Sequence, residues 1–77
     1  MNETPELIAL AARYDHSTRH LAASFKKQLE LARAEGNREE AIKNEIKLGV
    51  LIAARGLFSG AYLHVAKTKP VHDWGEV

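Results

Sequence analysis

Residues 48–66, LGVLIAARGLFSGAYLHVA, hold one formal charge and two opposed stripes of side chains. On a helical wheel Gly49, Ala53, Gly56 and Gly60 share one side, and Leu51, Phe58, Tyr62 and Val65 lie nearly opposite. Each glycine inside a helix costs about 1 kcal/mol relative to alanine. Three of them make physical sense where a second backbone comes close. The large stripe offers a second apolar contact. The segment therefore reads as a helix packed on two sides, and that reading governs what the rest of the chain can build.

The remaining sequence supplies cover for one of those sides. Thr4 suits a helix N-cap, and Pro5 suits the first helical position, where its missing N–H is harmless. Leu7, Ala11, Tyr14, Thr18, Leu21, Phe25, Leu29 and Ala32 then recur in steps of three and four, which puts them on one helical face. The series runs through DHSTRH without a break, so one long helix is expected over about 5–35. A kink at Asp15–Thr18 is the alternative, because Asp, Ser and Thr compete for backbone hydrogen bonds. Gly36 suits a left-handed helix end, and Asn37 with Glu40 suits a capping box for the next helix. Glu39 and Lys43 form a favourably oriented i,i+4 pair. The second helix is expected over about 38–67, ended by Thr68, Lys69 and Pro70. So short a connection makes the helices antiparallel neighbours. Residues 68–77 show no period and read as an extended tail.

The fold class is therefore all-α, a single hairpin domain over residues 1–77. A hairpin covers one side of its second helix only. At 77 residues, with no cysteine for a disulfide, a partner is the expected source of further stability. A second copy, a different protein or lipid could cover the open side. Lipid is disfavoured by Arg55 near the middle of the segment, at about 2.5–3.5 kcal/mol on insertion scales. A homodimer is favoured, because most soluble oligomers pair identical chains about a two-fold axis. The expected assembly is a four-helix bundle with the second helices at its centre. Arg55 lies near the level of Asp15, which makes Asp15–Arg55 a candidate buried pair. A surface arginine whose stem lies along apolar groups is the other reading.

Chemistry-bearing constellations are sparse. His16 and His20 have a metal-compatible spacing but lack convergent further ligands. His72 and Asp73 stand side by side in a tail with no pocket of its own. No metal, no cofactor and no catalytic residue is expected, and the chain reads as a non-enzyme. Arg13, His16, His20 and Lys27 form a basic stripe on the first helix, with Arg19, Lys26 and Arg33 repeating every seven residues beside it. A phosphate backbone could follow such a stripe, although a solvated helix face is its usual meaning. Trp74 is the only tryptophan. It reads either as an interface anchor or as the residue that folds the tail back over the helices.

The expected function is a small protein-interaction module, a regulator or inhibitor of a larger protein. Chains of this size are common among regulators from bacteria and from phages or other mobile elements, where a host protein is the target. The candidate partner surface comprises Arg13, His16, Arg19, His20, Lys27 and Trp74. A nucleic-acid-binding dimer using the basic face of the first helix is the alternative, and a subunit completing the core of a larger complex is a third. The absence of cysteine and of a basic-then-apolar leader suits a cytoplasmic setting.

Overall fold

The computed structural model describes residues 3–70 and Trp74. Two helices form an antiparallel hairpin, α1 (Pro5–Ala34) and α2 (Arg38–Ala66). The Thr4 hydroxyl accepts from the Leu7 N–H at 3.1 Å, which starts α1 on one of its orphan donors. α1 then runs through Asp15–Thr18 unbroken. Thr18 answers the competition for backbone bonds within the helix, its hydroxyl donating to the Tyr14 carbonyl at 2.8 Å.

The turn occupies three residues. Gly36 takes a left-handed φ of 71°. Its N–H donates to the Arg33 carbonyl at 3.2 Å, and the Asn37 N–H donates to the Ala32 carbonyl at 2.8 Å. This pair of bonds is a Schellman motif, which ends α1 on a residue without a Cβ. Asn37 also opens α2, its Oδ1 accepting from the Glu40 N–H at 3.1 Å. One residue thus closes one helix and caps the next, and the chain has no room to diverge.

The helices meet along two heptad seams. Ala11, Asp15, Thr18, Ala22, Phe25, Leu29 and Ala32 face Ala41, Asn44, Leu48, Leu51, Arg55, Phe58 and Tyr62, all buried or half-buried. Steps of four and three alternate on both sides, the 3.5-residue period of a two-stranded coiled coil. Two expected positions change for this reason. Leu21 is 46% exposed, and fully buried Ala22 takes its place. Val65 is 40% exposed, and Ala66 is buried instead. A 3.5 period keeps the seam straight, whereas the straight-helix period of 3.6 drifts around the cylinder.

α2 ends on Lys67, a non-glycine residue at φ 63°. A left-handed L-residue with a Cβ costs about 1 kcal/mol or more, which glycine avoids. Lys67→Gly should raise stability by roughly 1 kcal/mol, read as a higher urea midpoint at unchanged slope. An unchanged midpoint would show that the strain is relieved elsewhere.

The hairpin extends 50 × 16 × 14 Å, so it is one helix pair thick. Among the described residues nothing lies over the side of α2 that faces away from α1. That helix is also long and apolar enough to cross a membrane.

Candidate functional site

The most densely bonded part of the hairpin surrounds Arg55, whose exposure is 0%. Its Nη2 donates to Asp15 Oδ1 at 2.7 Å. Its Nη1 donates to the Thr18 hydroxyl and, at 3.4 Å, to the Asp15 carbonyl. Arg19 Nε reaches the same carboxylate from one turn along α1, at 2.9 and 3.1 Å from its two oxygens. Asp15 therefore bridges a buried and a half-exposed guanidinium. The buried charge is matched by a carboxylate and a hydroxyl, the condition for tolerating it inside a protein.

Trp74 covers this network. The Arg55 guanidinium carbon lies 4.6 Å from the indole ring centre, within cation–π range. Tyr14 and Phe58 stack at 4.3 Å, and Trp74 stacks on them at 5.6 and 5.0 Å. Pro70 and Trp74 are both buried, so Trp74 lies against the hairpin. Trp74 is consequently not part of an exposed partner surface. Its indole has an aromatic pair and a cation to cover, and burial there removes more apolar area than a free position would. His72 and Asp73 lie outside the described residues.

Tyr62 ties α2 to the start of the chain. Its hydroxyl donates to Glu3 Oε2. That bond, together with burial and the Glu3 charge, pushes the phenol pKa up to about 12 from 10.0. A raised pKa in the folded chain favours the protonated form. The contact therefore contributes fully below pH 10 and loses its contribution as the pH rises toward 12. In a Tyr14→Phe background, where Tyr62 is the remaining tyrosine, phenolate absorbance should develop with a midpoint near 12. Glu3→Gln should move that midpoint down toward 10; no movement would remove Glu3 as the cause.

The basic stripes separate in space. Arg13, His16, His20 and Lys27 are all exposed, on the side of α1 turned away from α2. Two members of the flanking stripe are held in ion pairs. Arg19 binds Asp15, and Arg33 Nη2 pairs with Glu45 Oε1 across the hairpin at 2.7 Å. Glu39 and Lys43 are paired along α2 at 3.6 Å. No group of three or more metal-ligating side chains occurs among the described residues.

The two stripes of α2 also separate. Leu51, Phe58 and Tyr62 face α1, whereas Gly49, Ala53, Gly56 and Gly60 are exposed. A Cβ added at Gly49, Gly56 or Gly60 would meet nothing within 4 Å. Ile42, Ile46, Val50 and Leu57 stand beside these glycines, with Leu57 76% exposed. Next to them an apolar groove of about 350 Å³ lies between Leu21, Phe25, Ile46, Val50 and Leu51.

Several of these features carried faint sequence signals. Asp15 and Arg19 are spaced i,i+4, which marks an intrahelical pair. Asn44 sits fully buried at a seam position, its Nδ2 donating to the Glu40 carbonyl at 2.9 Å. Only a heptad count over α2 would have placed it there. The Glu3–Tyr62 bond joins residues 59 apart and has no local signal. No protein-family model, curated protein or solved structure matches this chain.

Proposed function

We propose that this chain is a non-enzymatic interaction module, a regulator or inhibitor that acts by binding a larger protein. Two copies pair through α2 into a four-helix assembly, and the outer faces of α1 meet the target. The observation that carries this reading is the uncovered side of α2, where Ile42, Ile46, Val50 and Leu57 stand exposed on one helix. Soluble monomers rarely leave an apolar patch of this extent open to water. Among the described residues the charged groups of the interior are consumed by the fold itself. Arg13, His16, His20 and Lys27 are exposed on one side of α1 and offer a target a continuous basic stripe. A target from a bacterial host, with the chain carried by a phage or another mobile element and acting in the cytoplasm, fits its small size.

The test is retention of a partner from bacterial lysate on the immobilised full chain, with and without nuclease. One protein should be held equally in both halves and released by the Arg13→Glu/Lys27→Glu double substitution. The exposed basic stripe also favours a second reading, a dimer that follows a phosphate backbone. Retention that disappears with nuclease, and falls steeply with salt, would replace the first reading by the second.

A further inference from the structure

The outward side of α2 has an internal order that bears on its occupant. Counting from Ala53, the helix presents the positions three, four and seven residues away in each direction on one face. Toward the N-terminus these are Val50, Gly49 and Ile46. Toward the C-terminus they are Gly56, Leu57 and Gly60. Each pair of equal distance contains one glycine and one large aliphatic residue. Val50 matches Gly56, Gly49 matches Leu57, and Ile46 matches Gly60. None of the seven is charged, and the hairpin makes no use of the glycines, each of which opens on empty space.

An interface between identical chains about a two-fold axis requires this property, since residue i must fit residue j while j fits i. We infer that the occupant is a second copy of this chain, its α2 antiparallel to the first across a two-fold axis at Ala53. The large residues of each copy then fill the glycine notches of the other. The inference rests on the dimer reading above and adds its register. A parallel pairing would set Leu57 against Leu57 and Gly56 against Gly56, leaving bulk beside voids. Lipid has no use for notches matched to side chains. An unrelated partner would not require the face to complement itself.

Ile42, Ile46, Val50 and Leu57 are each more than half exposed, so the face offers apolar surface of the kind that a standard interface of about 800 Å² per partner buries. The face lies across α2 from the α1 seam. The dimer is therefore a flat layer in the order α1, α2, α2, α1, with the glycine-bearing helices in the middle.

Sedimentation velocity on the full chain, on Gly56→Val and on Val50→Gly/Gly56→Val tests the register. The hairpin has room for the valine, because a Cβ at position 56 meets nothing within 4 Å. The double variant keeps the glycine count of α2, so helix propensity is matched. Gly56→Val should weaken dimerisation at least a hundredfold, and the double variant should recover to within tenfold of the unmodified chain. The chain has no cysteine, so Ala53→Cys introduces a single thiol, which should cross-link to its own copy on oxidation. Ser24→Cys, on the outside of α1, should not. A dimer that shows neither rescue nor the Ala53 cross-link would overturn the register and leave the dimer reading standing. A chain monomeric at all concentrations would overturn both. If such a monomer also co-floats with phosphatidylcholine vesicles, the occupant of the face is lipid.

Discussion

Asp15→Asn should cost about 3–5 kcal/mol of stability, because it leaves a fully buried guanidinium without its carboxylate. That is a large share of the stability expected for a domain of this size, on the order of 0.05–0.15 kcal/mol per residue. The variant is best measured by urea unfolding in the presence of a stabilising osmolyte, which raises all variants together. Arg55→Met should cost less. Asp15 then keeps Arg19, which holds both its oxygens from a half-exposed position where water completes its hydration. The double variant should be more stable than Asp15→Asn alone, since replacing a whole buried pair by uncharged groups of similar volume is often close to neutral. The expected coupling is about 1–3 kcal/mol. Strictly additive effects would mean that the 2.7 Å contact contributes nothing of its own.

The second large effect is expected at Trp74. Trp74→Ala should cost about 3–5 kcal/mol, the usual range for truncating a buried aromatic residue. The indole is stacked on Tyr14 and Phe58 and lies over Arg55, so its removal opens the network to water as well as leaving a cavity. Water at the guanidinium softens the need for a carboxylate. In the Trp74→Ala background the cost of Asp15→Asn should therefore shrink, by about 1 kcal/mol or more for groups in one network. Trp74→Phe should retain more than half of the lost stability, because it keeps the stack and gives up only area. As the sole tryptophan, Trp74 reports its own burial. Its emission should be blue-shifted and protected from acrylamide in the native state. Emission like that of free tryptophan in water would show Trp74 undocked and remove the basis of both expectations.

These two sites show how unevenly the sequence discloses the molecule. The helix ends are local events. Thr4–Pro5 starts α1, and Gly36 and Asn37 close one helix and open the next, each through atoms within five residues. The level at which Asp15 meets Arg55 follows from the length of that turn, since a three-residue connection fixes the antiparallel register. Which apolar residues face inward is less legible. Leu21 and Ala22 are adjacent, and hydrophobicity alone selects the leucine. The coiled-coil seam selects the alanine, because position 22, four residues after Thr18, keeps the 3.5-residue alternation and position 21 does not.

The sequence by itself determined the two long helices, the place of the turn, the two-sided character of α2 and the absence of any thiol chemistry, because caps, periodicity and composition act over one or two turns of chain. The tertiary structure alone decided that the large stripe of α2 turns inward and the glycine stripe outward. It also decided that Trp74 returns over Arg55, and that Glu3 reaches Tyr62. Each of those choices compares burial energies of groups that are far apart in the chain, and no local pattern contains that comparison.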